Sequence, residues 1–254
     1  MVLVVALVAN LFTVGAFAEA TSGSCGANLK WTVNTETGEL TISGTGAMND
    51  YSSTTAPWKA YNDVITKVTV GEGVTALGST NKSQPFNGFT KNFTVSLPST
   101  LTAIDGEMKG NTKLVAVTFP DRGALKYIYG WSFSGCKALT YIKLPETEGT
   151  DILNGAFNNC TALTEIVLPA SVKTVGDANG SAFSGSCAPA KITFLGMSTS
   201  ILPDSAIGLP TSATIYGFAE STAKAYATKY GRNFVEVKAG QIAEGTIGTN
   251  LTWT

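Results

Sequence analysis

The 254-residue chain is 44% hydrophobic, enough for a substantial buried core, yet only 14% of it is charged. Its 17 basic and 18 acidic residues leave a net charge of -1, which gives no electrostatic basis for binding nucleic acid or an anionic membrane. The chain contains no histidine, which removes the commonest general base and the commonest metal ligand together.

Residues 1–20 form the first element. They run apolar from Val2 to Leu11 and end in two overlapping small-x-small sites, Ala16-Phe17-Ala18 and Ala18-Glu19-Ala20. The run is too short to span a bilayer and reads as a secretory signal peptide, although no basic residue precedes it. The mature chain is therefore expected to be secreted or at the cell surface, with no membrane insertion. Residues 21–63 follow as an N-terminal cap. Leu29-Lys30-Trp31-Thr32-Val33 and Glu39-Leu40-Thr41-Ile42 alternate apolar and polar, and Asn34, Thr35 and Gly38 between them predict a β-hairpin. Pro57-Trp58 is expected to lie over the first coil.

Residues 64–210 are periodic. Three segments align as apolar-x-x-apolar-x-apolar-Pro, starting at Leu114, Leu139 and Leu163 and ending at Pro120, Pro145 and Pro169. Weaker copies end at Gly71, Pro98, Leu195 and Gly217, in steps of roughly 22 to 27 residues. Two further landmarks keep the same order. One is the apolar residue Leu77, Ile104, Ile128, Ile152 or Val175. The other pairs a large side chain with an inward position: Phe86 and Phe89, Met108 and Asn111, Phe133 and Cys136, Phe157 and Cys160, Phe183 and Cys187. A coil of this size cannot bury its own apolar side, so it stacks on its neighbours. The short strands should form a parallel ladder, with Val117, Phe119, Ile142, Leu144, Ile166 and Leu168 inward. Two outward rows follow: Lys67, Thr94, Ala116, Tyr141, Glu165 and Lys191 in one, and Thr69, Ser96, Thr118, Lys143, Val167 and Thr193 in the other.

The string Ile128…Phe133-x-x-Cys136-x-x-Leu139-x-x-Ile142-x-Leu144-Pro145 resembles the repeat of the BspA-like leucine-rich-repeat family of bacterial cell-surface proteins, and the next coil, from Ile152 to Pro169, resembles it more closely. The resemblance covers roughly residues 21 to 237 and weakens at insertions near 79–85 and 177–181. It implies a leucine-rich-repeat solenoid, α/β in class but β-rich. Its parallel strand ladder would carry irregular or short-helical return segments, an N-terminal β-hairpin cap and a C-terminal helix-strand cap. It also implies adhesion to host or neighbouring-cell proteins.

Residues 211–237 form the C-terminal cap. Ala223, Tyr226, Ala227 and Tyr230 keep helical spacing, Gly231 stops the helix, and Phe234-Val235-Glu236-Val237 would close the sheet. Residues 238–254 are a linker and the truncated start of a second cap copy, because Gly248-Thr249-Asn250-Leu251-Thr252-Trp253-Thr254 repeats Gly26-Ala27-Asn28-Leu29-Lys30-Trp31-Thr32.

Little of the sequence points to chemistry. Cys136, Cys160 and Cys187 occupy equivalent positions, which argues for reduced, inward packing; a Cys136–Cys160 bridge is the alternative. No metal or cofactor is implied, since a zinc site lacks its ligand spacing and Glu146, Glu148 and Asp151 lack the calcium-loop pattern. Ser132 and Ser134 have no base to activate them, so the chain is not read as an enzyme. The expected function is protein binding through the outward ladder, with Tyr141, Lys143, Glu165, Thr118 and Val167 as the contact patch. A spacer within a longer surface protein is the alternative. A weaker one is glycan binding through Trp31, Tyr51, Trp58 and Trp131, weighed against their packing in the cap and core.

Overall fold

A computed structural model describes residues 21–79, 83–176, 181–183, 189–203 and 207–238. The expected signal peptide, Cys187, the middles of both insertions and the repeated cap segment lie outside the described residues.

The cap starts from alternation. In β2 (Leu29–Asn34) Leu29, Trp31 and Val33 are buried while Lys30, Thr32 and Asn34 are exposed, and in β3 (Glu39–Gly44) Leu40 and Ile42 are buried. The two pair antiparallel from Leu29 opposite Gly44 to Asn34 opposite Glu39. The turn is fixed chemically. The Asn34 Oδ1 accepts from the Glu36 and Thr37 amides, and Gly38 takes φ +69°, where a Cβ would come within 2.7 Å of the Val64 carbonyl oxygen. A further strand, β1 (Ser22–Ser24), pairs antiparallel with β2. It carries no apolar residue, so the hydrophobic pattern does not reveal it.

From β3 onward every pairing in the main sheet is parallel. The hairpin passes through β5 (Lys67–Val70) to β7 (Phe93–Ser96), β9 (Leu114–Thr118), β11 (Tyr141–Lys143), β13 (Glu165–Leu168), β15 (Lys191–Phe194), β17 (Thr214–Gly217) and β18 (Asn233–Glu236). Ile142 and Ile166 lie on adjacent rungs, in register, and both are fully buried. A buried isoleucine contributes roughly 1.5–3 kcal/mol, and each coil obtains that burial only from its neighbours. Phe119, expected inward, is half-buried against the core because it lies past the end of β9.

The return segments differ from expectation. The landmarks Ile104, Ile128, Ile152 and Val175 lie on a second, five-stranded parallel sheet: β8 (Ala103–Ile104), β10 (Tyr127–Ile128), β12 (Thr150–Ile152), β14 (Val172–Val175) and β16 (Ser200–Ile201). Earlier in the chain, β4 (Gly46–Ala47) pairs with β6 (Val74–Ala76) in the same sense. Strands of two to four residues are too short to display alternation, so their sequences show one apolar landmark and nothing more.

Between the sheets runs a column of identical side chains. Phe133 and Phe157 stack with centroids 5.3 Å apart and planes 1° from parallel, and Phe183 continues the column at 5.5 Å and 10°. Hydroxyl and thiol groups add a second kind of tie. The side chains of Thr102, Ser132, Thr150, Thr164 and Thr199 donate to the carbonyls of Thr75, Ile104, Leu125, Thr140 and Val172, each in the preceding coil, at 2.7–3.2 Å. Helix α1 (Thr222–Lys229) closes the far end. Ser221 Oγ accepts from the Lys224 amide, Ala223, Tyr226 and Ala227 are buried, and Gly231 takes φ +62° to let the chain enter β18.

Candidate functional site

The ladder places the five candidate residues on one face. The first row runs in register through Lys67, Thr94, Ala116, Tyr141, Glu165, Lys191 and Thr214. In the second row Ser96 pairs with Thr118, and Lys143, Val167, Thr193 and Tyr216 follow one another in register.

Their environments differ. Thr118 is exposed and its hydroxyl lies 3.0 Å from the Ser96 hydroxyl. Lys143 is half-exposed and forms an ion pair with Asp121 at 3.5 Å. Tyr141 and Glu165 are half-buried, on neighbouring rungs. Burial pushes the Tyr141 phenol up to about 12, with the Glu165 carboxylate adding to the shift, so Tyr141 stays a donor. Burial also raises Glu165, partly offset by Lys191 on the next rung. Val167 corrects the expectation: it is 1% exposed and contributes no accessible surface. Its neighbours in the row, Lys143 and Thr193, stand one rung away on either side, and Thr193 is itself fully buried. Alternation locates the face but does not report how deeply a position on it is shielded. Tyr141 Oη, Glu165 Oε1 and Thr193 Oγ1, on three successive rungs, are buried atoms with no hydrogen-bond partner.

The cysteines are structural. Cys136 and Cys160 are buried, and each thiol donates to a carbonyl of the preceding coil, Met108 at 3.0 Å and Phe133 at 3.1 Å. Burial pushes the Cys136 thiol up to about 12. Cys25, in the cap, is also buried, and burial raises it to about 11.

This periodic arrangement agrees with a family match. Residues 61–206 match the BspA type leucine-rich repeat region, in six copies. The chain belongs to the BspA-type leucine-rich-repeat family. Among solved structures, this BspA-type chain is similar to a leucine-rich repeat protein from Eubacterium ventriosum at 20% identity, covering 79% of this chain and 73% of that one, with a TM-score of 0.38. It is also similar to the leucine-rich repeat protein of T. pallidum at 17% identity, covering 84% and 98%, with a TM-score of 0.37. A third likeness is to a leucine-rich cell surface protein from Faecalibacterium prausnitzii at 14% identity, covering 91% and 99%, with a TM-score of 0.25. No curated protein matches the chain.

Two further features of this BspA-type solenoid escape sequence reasoning. Glu72 receives the amide and hydroxyl of Ser99, and Glu146 receives the Ala170 and Ser171 amides, so a glutamate after one strand fastens the turn of the next coil. The equivalent placement of the two glutamates was the available signal. Glu146 is thus engaged in structure. The aromatics separate cleanly: Trp31 and Trp58 are buried, with ring centroids 6.2 Å apart, and Tyr51 packs on Trp58 at 5.6 Å. Trp131 is 40% exposed.

Proposed function

We propose that this chain is a secreted or cell-surface adhesion module that binds a protein through the outward ladder, at Tyr141, Lys143, Glu165 and Thr118. The single observation that carries the reading is the in-register ladder itself, which sets the partly exposed Tyr141, Lys143 and Glu165 side by side on neighbouring rungs. The ladder is rigid, so a protein ligand binds it with little ordering of the solenoid. A host or neighbouring-cell surface protein is the expected ligand. The family and the lack of histidine both favour a non-catalytic role. Among the described residues no helix is long and apolar enough to cross a membrane.

A second reading, a spacer in a longer surface protein, draws support from the repetition of Gly26–Thr32 by residues 248–254. The test is a pull-down from host matrix and serum proteins with the wild-type chain, repeated with Tyr141, Lys143 and Glu165 all changed to Ala. The protein-binding reading expects a captured partner whose affinity falls roughly a hundredfold in the triple variant. Capture that is unchanged by the triple variant removes this patch, and no capture at all favours the spacer.

A further inference from the structure

A second surface of the molecule lies on β10 and the turn after it, away from the ladder rows. Tyr127, Ile128 and Tyr129 alternate, so that Ile128 is fully buried while Tyr127 is exposed and Tyr129 half-exposed. The two tyrosine rings stack with centroids 5.1 Å apart. Trp131 follows two residues later. Only four large apolar side chains are strongly exposed among the described residues, and Tyr127 and Trp131 are two of them.

Trp131 is the more informative. Its φ is +69°, in the left-handed region that a bulky side chain avoids. The equivalent positions one coil before and one coil after are Gly106 at φ +86° and Gly155 at φ +67°. The fold therefore wants glycine here, and this coil carries tryptophan at a cost in backbone strain. Core packing repays that strain only in part, since the residue is 40% exposed and its ring lies against Gly155, where a Cβ would come within 3.2 Å of it. Lys109 Nζ stands 5.6 Å from the ring centroid. An exposed aromatic held in a strained conformation is the pattern of a binding residue rather than a structural one. By contrast Asn159, at φ +56°, replaces Gly110 and Gly135 with a residue that tolerates this region.

Beside Tyr127 runs a cleft. One part has a volume of about 560 Å³ and lies among Ser99, Arg122, Lys126 and Glu148. A second part of about 240 Å³ shares Lys126 and Glu148 with it and reaches Tyr127, Asp151 and Lys173. The floor includes Gly123 and Gly149, and the Lys173 stem lies across Gly149. Asp151 is the register neighbour of Tyr127. Among the described residues, no side-chain hydrogen bond or ion pair engages Arg122, Lys126, Glu148, Asp151 or Lys173. Three cations and two carboxylates thus surround one cleft without neutralising each other.

We propose that this surface is a carbohydrate-binding site, in which a neutral oligosaccharide stacks its sugar rings on Trp131 and the Tyr127–Tyr129 pair and exchanges hydrogen bonds with the charged side chains of the cleft. The C–H face of a pyranose matches an exposed aromatic face, and its hydroxyls need donors and acceptors in alternation, which the mixed charges supply. A polyanion would meet two carboxylates. A protein ligand needs a broader contact with an apolar centre than this strip provides.

The test compares wild type with Trp131→Gly, which installs the residue found at the two equivalent positions. The variant is expected to fold, with a melting temperature equal to or above wild type. Both proteins are applied to a printed array of neutral and anionic glycans, and the strongest neutral glycan is titrated by intrinsic tryptophan fluorescence. Wild type is expected to bind neutral glycans and to show a fluorescence change. Trp131→Gly should bind at least roughly tenfold more weakly, and Tyr127→Thr should also weaken binding. The ladder variant with Tyr141, Lys143 and Glu165 changed to Ala should bind sugar as wild type does, which separates this site from the protein-binding reading. An array with no neutral-glycan signal, signal from anionic glycans alone, or neutral-glycan binding that survives Trp131→Gly overturns the assignment.

Discussion

The N-terminal cap and the central coils solve the same problem with different chemistry. A central coil meets a near-copy of itself on both sides, so identical residues stack: Phe on Phe at 5.3 and 5.5 Å, Ile142 against Ile166, a thiol under a carbonyl in each of two coils. The cap has no copy on its outer side. It is instead closed by aromatics that meet at varied angles. Trp31 meets Trp58 edge-on at 70°, Trp58 stacks on Phe86 at 23°, and the Trp58 indole donates to the Pro85 carbonyl at 3.0 Å. Repetition suffices in the interior of a solenoid, whereas its end requires large side chains individually placed.

That contrast is sharpest in deletions. Trp58→Ala removes a fully buried indole and leaves the Pro85 carbonyl without its donor, for an expected loss of about 5 kcal/mol. Phe157→Ala, between two stacked neighbours, is expected to cost about 3–4 kcal/mol. Urea unfolding of both variants measures the pair, and a smaller loss for Trp58 than for Phe157 breaks the comparison.

A second effect lies where cap and coils meet, at Glu107. Burial raises its carboxyl from 4.5 to about 7, with Asp105 and Asp50 adding to the shift. A carboxyl raised on folding is protonated in the native state at pH values where the unfolded chain has already ionised. Stability is therefore lost as pH rises from about 4.5 to about 7, and the full penalty is present above that window. Glu107→Gln is expected to stabilise the protein by up to about 3 kcal/mol at pH 8 and to be nearly neutral near pH 4. Melting temperature against pH for wild type and variant checks the sign.

The smallest effect belongs to the coils. Cys160→Ser keeps a donor to the Phe133 carbonyl but loses polarisable volume, for an expected cost of about 1 kcal/mol. Cys25, Cys136 and Cys160 should resist a thiol reagent in the native protein and react only on unfolding, as an absorbance assay with a chromogenic disulfide shows. Native-state labelling of Cys136 would mean that the coils open far more readily than their packing implies.

The period of the solenoid was legible because each coil repeats apolar residues at matching positions, and the two outward rows could be written down before any coordinates. The second sheet was not, because a strand as short as Tyr127–Ile128 shows one buried residue and no alternation. Val167 was assigned to the correct face but the wrong depth, since depth depends on what else covers that face. Trp131 looked like any other tryptophan in the sequence. Its meaning needed the register that sets it level with Gly106 and Gly155, together with the sign of its φ.

The threonine and cysteine donors have a direction: each named one reaches back to a carbonyl already laid down nearer the N-terminus. A chain emerging N-terminus first can therefore wind onto its own finished end, these side chains finding acceptors already in place. Growth is polarised like a thread taken up on a spool, and the indole-sealed start is the hub on which the winding begins.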